Sequence, residues 1–141
     1  MENRAISDVQ VTASSQMDDT NSAREARLHS KSSGNQRGGW VALKNDLNQW
    51  LQVDLGTFTR ITRVATQGRD GYDQWVTKYR LQYSNDGDIF HSFKVLGVNS
   101  AKVWLSSFWQ NSSSPRRNLS KSYESATSSQ INIVTSRFVD L

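Results

Sequence analysis

The sequence has no cysteine, a single proline and no long apolar run. Without cysteine the chain can form neither a disulfide nor a zinc–thiolate site, and thiolate catalysis is excluded. One proline and eight glycines exclude a collagen-like or proline-rich chain. No apolar stretch reaches the length that a bilayer-spanning helix needs. The 141 residues suffice for one domain with a buried core.

The formal net charge is +4, and most of the excess lies towards the C-terminus. Residues 1–95 carry 12 Lys or Arg against 11 Asp or Glu, whereas residues 96–141 carry 5 against 2. A nucleic-acid-binding protein concentrates its basic residues in a patch or stripe. We therefore expect a mixed-charge surface and no nucleic-acid partner.

Short alternating segments dominate the first two thirds of the chain. In "ISDVQVTA", the side chains of Val9, Val11 and Ala13 share one face of a predicted strand. "QWLQVDLG" predicts a strand that ends at Gly56, and "TRITRVATQG" predicts a separate strand after it. "WVTKYRLQYSNDG" is the clearest strand, with Tyr79 on its apolar face and "SNDG" as its closing turn. Short strands with polar turns between them favour an antiparallel β-sandwich.

The composition changes after about residue 97, where serine becomes frequent and the alternation is lost. We expect residues 1–97 to form the main part of the domain. Residues 98–141 are predicted to be a divergent serine-rich tail, with a last strand at 131–139.

Several separate stretches together resemble one family, the discoidin domain, which is the C-terminal domain type of coagulation factors 5 and 8. They are "ISDVQVTASS", "AREARL", "DLNQWLQVDLG", "ITRVATQGR" and "DQWVTKYRLQYSNDG". The resemblance extends in order over residues 1 to about 95. It implies an all-β jelly-roll sandwich of the galactose-binding-like type. The family's two disulfide cysteines and two motifs of its second half are absent, and "TSRFVDL" is only weakly similar to the third, so the resemblance leaves open whether the sandwich is complete at its C-terminus.

The resemblance also implies a function. Discoidin domains bind phospholipid head groups, glycans, collagen or other cell-surface proteins, and they mediate adhesion outside cells. An extracellular or cell-surface location is therefore expected. The first residues, "MENRAISDVQ", lack the pattern of a secretory signal. A piece of a longer protein and a cytosolic lectin-like form both remain open.

In this family the ligand is held by loops at one end of the sandwich, and three polar loops correspond here. The first is "SSQMDDTNSA", the second "KSSGNQRGGW" and the third "QGRDGYDQW". The candidate ligand-binding residues are Met17, Asp18, Asp19, Asn21, Asn35, Arg37, Trp40, Arg69, Asp70, Tyr72, Asp73 and Gln74.

Arg69 is the strongest of these candidates, because it offers a planar fork for a carboxylate or donors for sugar hydroxyls. The alternative is an ion pair with Asp70, Asp73 or the acids of the first loop. A flat face for sugar stacking is expected from Tyr72 or Trp40, although Trp40 can equally belong to the core.

Collagen is disfavoured as a ligand. Met17 replaces the exposed tryptophan of collagen-binding relatives, and Gln74 replaces their acid. No cofactor is expected. Asp18, Asp19 and Asn21 make calcium conceivable, but their spacing does not match an EF-hand loop. A glycan, a glycoprotein or another surface or matrix protein is the expected partner.

An anionic phospholipid is the alternative ligand. The basic tail residues Arg116, Arg117 and Lys121 would support membrane binding. The loop tips offer Met17 and Tyr72 as apolar contacts, but the aspartates beside them would repel an anionic surface.

A catalytic site is not expected. Asp46 and Asp54 flank "LNQWLQV", and eight residues of mostly extended chain span up to ~26 Å. A glycosidase holds its two carboxylates about 5–10 Å apart. The two histidines, His29 and His91, have no partners that would predict a triad or a metal site. A glycoside-acting enzyme is therefore the least favoured hypothesis.

Overall fold

The computed structural model describes residues 5–93, 103–105 and 119–140, with side chains up to Phe93 except at positions 62 and 63. The strands are β1 (Val11–Ala13), β2 (Ser32–Ser33), β3 (Gln36–Arg37), β4 (Trp50–Thr66), β5 (Gln74–Ser84), β6 (His91–Ser92), β7 (Val103–Leu105) and β8 (Leu119–Asp140). Three short 3-10 helices cover Asp8–Gln10, Asp19–Asn21 and Ala23–Ala26. The prediction of an all-β fold is confirmed. In the described part of the chain, no helix is long and apolar enough to cross a membrane.

The strands pair in the order β1-β4-β8-β5-β6, with β7 also pairing β5, and β2 and β3 form a separate hairpin. All of these pairings are antiparallel. β8 therefore lies between β4 and β5. It contains the segment 131–139 for which a last strand was predicted, and it begins earlier, at Leu119. Arg116 and Arg117 lie outside the described residues, and the division of the chain at residue 97 stays a prediction.

β4 corrects one prediction, because the two strands expected on either side of Gly56 are a single strand. β8 pairs with both halves: Asp54 is opposite Gln130, and Thr59 is opposite Ser128. Between these pairs the register shifts, and Gly56 has a φ of +71°. Its amide donates to Oδ1 of Asp54 at 2.7 Å. The glycine thus permits a bulge within one strand instead of ending it.

The first predicted strand is shorter than expected. Residues Asp8–Gln10 form a 3-10 helix, in which Oε1 of Gln10 accepts from the amide and hydroxyl of Ser7. Gln10 also donates through Nε2 to the carbonyl of Asp54 at 2.9 Å. Val9 lies in this helix and is 86% exposed, so the prediction that it shares a strand face with Val11 and Ala13 is wrong.

Most of the buried apolar side chains form two clusters, and residues of β4 lie in or against both. The first contains Val11, Ala23 and Leu51. The second contains Tyr79 and Leu81, with Val64 and Phe93 packed against them. Lys78 and Arg80 are exposed, so the predicted alternation of β5 is confirmed. Burial of a side chain the size of leucine contributes roughly 1.5–3 kcal/mol to the stability of the fold. The loops are attached to the strands that these clusters hold together.

Candidate ligand-binding site

The second and third loops are joined by backbone and side-chain hydrogen bonds around Asp70. Its amide donates to the carbonyl of Gly38 at 3.1 Å. Its carboxylate Oδ2 accepts from the amide of Ser32 at 3.0 Å, and its carbonyl accepts from the Ser32 hydroxyl at 2.9 Å. Nζ of Lys31 lies 3.9 Å from its other carboxylate oxygen. The side chain is only 12% exposed, so Asp70 connects the loops and presents little surface to a ligand.

Gly38 makes this close approach possible. Its φ is +65°, in the left-handed region that favours glycine. A Cβ at this position would lie 2.7 Å from Cβ of Asp70 and 2.9 Å from the amide nitrogen of Ser32. No side chain fits there without movement of the third loop.

Arg69 makes a second connection between the same loops. Nε donates to the carbonyl of Arg37 at 3.0 Å, and Nη1 donates to Oε1 of Gln74. The Arg69 amide also donates to the carbonyl of Gln74, at 2.9 Å. The guanidinium carbon lies 3.7 Å from the centre of the Tyr72 ring. The hydrogen bonds that fix this side chain therefore run to a carbonyl and an amide, and its flat face supports an aromatic ring.

Tyr72 stands beside an open groove of about 370 Å³. The groove is lined by Ser32, Ser33, Gly34, Gln36, Arg37 and Tyr72. The tyrosine is 41% exposed although the Arg69 guanidinium covers one face of its ring. The face that the guanidinium covers is therefore closed to a ligand. The groove combines one aromatic surface with hydroxyl, amide and guanidinium groups.

The first loop is built around Asp18, whose carboxylate points into the loop. Its Oδ1 accepts from the amide and hydroxyl of Thr20 and from the amide and side chain of Asn21, at 2.6–3.0 Å. The hydrogen bonds from the Thr20 and Asn21 side chains hold the pKa of this carboxyl below its usual value. Asn21 is 1% exposed. The exposed residues of this loop are Ser14, Gln16, Met17, Asp18 and Asp19.

The first loop is attached to the segment that follows the second loop. The amide of Met17 donates to the carbonyl of Val41 at 2.8 Å. Nε1 of Trp40 donates to the carbonyl of Ser15 at 2.9 Å, and its ring packs against the cluster of Val11, Ala23 and Leu51. The core alternative for Trp40 therefore agrees with the structure. Of the two candidate platforms, Tyr72 is the exposed one.

The structure brings four of the predicted candidates together: Arg37, Arg69, Tyr72 and Gln74. Asn35 and Asp73 are exposed but lie outside the groove lining. Sequence reasoning missed Ser32, Ser33 and Gln36 as groove residues. The available signal was the "SSGNQR" stretch itself, in which two short strands flank a glycine and form a hairpin.

The carboxylates of Asp46 and Asp54 accept hydrogen bonds from nearby residues of their own segments. Oδ1 of Asp46 accepts from the amide of Asn48 at 2.8 Å and from Nε2 of Gln49 at 2.9 Å, and these hydrogen bonds, that of Gln49 above all, lower its pKa. Asp54 accepts from the amide of Gly56 in the β4 bulge. Within residues 5–93, 103–105 and 119–140, no group of three His, Cys, Asp or Glu side chains could hold a metal ion.

A model of the F5/8 type C domain family matches residues 10–131. The chain belongs to this family. The predicted discoidin resemblance is thereby confirmed, and the match extends beyond the residue 95 expected from the sequence. Domains of this family are carbohydrate- or lipid-binding modules and are generally non-catalytic.

Two curated relatives show how much of a longer protein the domain matches. Over 116 residues it is 36% identical to human EGF-like repeat and discoidin I-like domain-containing protein 3. The aligned region covers 77% of this chain and 24% of the relative. Over 75 residues it is 39% identical to bovine lactadherin, and this aligned region covers 52% of this chain and 18% of the relative. The F5/8 type C chain therefore spans a quarter or less of either relative.

Solved structures show the same fold. Discoidin II of Dictyostelium discoideum superposes with a TM-score of 0.81 at 17% identity, over 98% of this chain and 51% of that one. A CBM32 module from Clostridium perfringens, in complex with GalNAc-β-1,3-galactose, gives 0.61 at 19% identity, over 92% and 87%. The CBM32 of AlyQ, in complex with 4,5-unsaturated mannuronic acid, gives 0.59 at 17% identity, over 94% and 89%. The predicted jelly-roll β-sandwich is confirmed.

Proposed function

We propose that this domain is a non-catalytic binding module for cell adhesion, which recognises a glycan on a cell-surface or matrix protein outside the cell. The glycan binds in the groove between the second and third loops. One observation carries this proposal: the Tyr72 ring is exposed at a polar groove while the Arg69 guanidinium, 3.7 Å from the ring centre, supports it from behind.

The chemistry of the groove suits a sugar. A pyranose ring has an apolar face, formed by its C–H groups, that packs on an aromatic ring, and its hydroxyls need donors and acceptors around the edge. Tyr72 supplies the aromatic ring, while Ser33, Gln36 and Arg37 supply hydrogen-bond donors and acceptors. The volume of about 370 Å³ lies within the range of small-molecule sites. In this arrangement Arg69 positions the ring, because its Nε and Nη1 already donate to the protein.

Two structural neighbours support a sugar as the ligand. The Clostridium perfringens module was solved with GalNAc-β-1,3-galactose and the AlyQ module with 4,5-unsaturated mannuronic acid. Both share the fold with this chain at low sequence identity, so they support the ligand class and leave the individual sugar open.

Anionic phospholipid is the second candidate, and one observation favours it. Met17 and Leu43 are both exposed, and the amide of Leu43 donates to the Ser15 hydroxyl at 3.1 Å, which places Leu43 beside the first loop. Two apolar side chains at a loop end could enter a bilayer surface. Asp18 and Asp19 follow Met17 directly, however, and repel an anionic membrane. Glycan binding is therefore preferred.

The test is a glycan array screened with the whole chain, followed by titration calorimetry on the best ligand. Tyr72→Ala is expected to weaken binding about tenfold or more, since aromatic stacking contributes on the order of 1 kcal/mol beyond area burial. Tyr72→Phe keeps the ring and should bind nearly as well. Phe58→Ala is the matched control, because Phe58 is an exposed aromatic residue outside the groove lining.

Two results would overturn the proposal: a wild-type chain that binds no glycan on the array, or a Tyr72→Ala variant that binds as well as the wild type. Phosphatidylserine vesicles test the alternative that the ligand is an anionic phospholipid. Pelleting of the chain with these vesicles at low salt, without any glycan binding, would favour the phospholipid candidate.

A further inference from the structure

The groove has an unbalanced charge. Among its six lining residues, Arg37 is the only charged one, and its side chain is exposed. None of the residues that the structure describes forms a hydrogen bond or an ion pair with its guanidinium group. An arginine in this position offers a fork of donors to whatever enters the groove.

The backbone of Arg37 is fixed although its side chain is exposed. Its carbonyl accepts from Nε of Arg69 at 3.0 Å, and in the hairpin it pairs with Ser32 of β2. Ser32 is bonded in turn to Asp70 of the third loop. The backbone from which the guanidinium group extends is therefore already ordered, so less backbone conformational entropy is lost when Arg37 binds a ligand.

One of the two acids on the third loop is already engaged. Asp70 accepts from the Ser32 amide through Oδ2, its other carboxylate oxygen lies 3.9 Å from Nζ of Lys31, and its side chain is 12% exposed. Its charge is therefore compensated within the loop junction. Lys31 offsets the charge of Asp70, which leaves Arg37 and Arg69 against the exposed Asp73 of the third loop. The formal charge of these residues around the groove is therefore positive by one unit.

We propose that the glycan recognised in this groove is acidic. Arg37 pairs with a carboxylate or sulfate group of the sugar while Tyr72 packs against its ring. This inference rests on the proposed function, and it adds a substrate class to it. The physical reason is that a guanidinium group binds an oxyanion through two parallel charge-assisted hydrogen bonds, which are about twice as strong as neutral ones.

The experiment compares matched glycans on the whole chain. The first set consists of lactose, 3′-sialyllactose and 3′-sulfolactose, which share one core and differ in whether they carry an anion and of which type. An array of further neutral, sialylated, uronic and sulfated pairs extends this set. The acidic member of at least one pair is expected to bind about tenfold tighter or more than its neutral partner. The sialylated and uronic arms report carboxylate, and the sulfated arm reports sulfate. The preference should shrink between 50 and 300 mM salt, because an exposed ion pair is screened.

Variants of Arg37 identify the group responsible. Arg37→Gln should remove the preference for the acidic member and weaken the neutral member much less, since the glutamine amide keeps a donor for sugar hydroxyls but carries no charge. Arg37→Lys should keep only part of the preference, since it retains the charge and loses the fork. All of these variants retain the carbonyl that Arg69 bonds, so the loop connection is preserved. Arg60→Gln is the control, because Arg60 is an exposed arginine of β4 outside the groove lining.

The outcomes separate this inference from the function beneath it. If neutral and acidic partners bind equally, or if Arg37→Gln weakens both to the same extent, the acidic class is overturned. The glycan-binding function then still stands if Tyr72→Ala abolishes binding. If no glycan binds at all, both proposals fall.

Discussion

Nε of Arg69 donates a hydrogen bond to the backbone carbonyl of Arg37 at 3.0 Å. The third loop thus fixes the main chain of the residue that carries the exposed guanidinium of the groove. The same Arg69 side chain stacks on Tyr72. Arg69, which is half-buried, therefore fixes the main chain of Arg37 and the ring of Tyr72, two of the residues that are proposed to touch the sugar.

Replacement of Arg69 by alanine should weaken glycan binding about tenfold or more without removing a ligand contact. The lost hydrogen bonds also contribute to folding, and about 1–2 kcal/mol of stability should be lost. Calorimetry gives the affinity, thermal denaturation the stability, and NMR the expected shifts of the Arg37 amide and the Tyr72 ring. Arg80→Ala, an exposed arginine of β5, is the control. Unchanged affinity together with unchanged shifts would contradict the positioning role.

Gly38→Ala and Gly34→Ala form a matched pair at positive φ. The φ angles are +65° and +56°, so both variants incur the strain of a left-handed residue, about 1–2 kcal/mol. A Cβ at Gly34 meets no atom within 4 Å, whereas one at Gly38 meets Asp70 and Ser32. We expect Gly38→Ala to lose more stability and more binding than Gly34→Ala, measured by chemical denaturation and calorimetry. Equal losses would show that the close approach to Asp70 is unimportant.

Asp86 should make the domain sensitive to acid. Its Oδ1 accepts from the amides of Ile89 and Asp88 and from the Ser84 hydroxyl, and these hydrogen bonds, led by that of Ile89, lower its pKa from 3.8 to about 2. A lowered pKa in the folded state stabilises the fold above the unfolded pKa, and this contribution is lost as the pH falls from about 4 to about 2.

The melting temperature of the wild type should therefore fall over that pH range. In Asp86→Asn the fall should be smaller, although Asp18 and Asp46, with lowered pKa values of their own, leave part of it. Asp88→Asn is the control, since Asp88 contributes its backbone amide to the turn. Identical pH profiles for Asp86→Asn and the wild type would refute the role of this carboxylate.

The sequence alone divides the chain at residue 97, and a truncated chain tests that division. β8 pairs with β4 and with β5, so residues 1–97 alone would lack the neighbour of both strands. We expect residues 1–97 to give a collapsed amide spectrum by NMR and the whole chain a dispersed one. A dispersed spectrum from the shorter chain would support the division, with residues 98–141 as an appendage.

The parts of the fold that follow from side-chain alternation could be predicted from the sequence. β5 is one example, since Tyr79 and Leu81 are buried between exposed Lys78 and Arg80. The first half of β8, "LSKSYESATSSQ", carries no such alternation. Its strand conformation comes from backbone hydrogen bonds to its neighbours, which composition does not reveal. The bulge at Gly56 was misread as a strand end for a related reason, because a positive φ occurs in both.

The three polar loops could be predicted from the sequence, but the orientation of their side chains could not. Asp18 and Asn21 have the same polar composition as a ligand site, yet they bond to each other inside the first loop. Arg69 was expected to touch the ligand, and its side chain donates to the Arg37 carbonyl and to Gln74. Such outcomes depend on which carbonyls and amides lie within reach after folding, and local sequence carries little of that information.

The position of β8 also has a consequence for synthesis. The third loop runs from the end of β4 to the start of β5, where Thr66 pairs with Leu119 and Gln74 pairs with Asp140. A ribosome releases β8 after every other strand that the structure describes. Until then β4 and β5 expose unpaired edges, a condition that favours aggregation. The groove can therefore acquire its geometry only after β8, a segment remote from it in sequence, takes its place in the sheet.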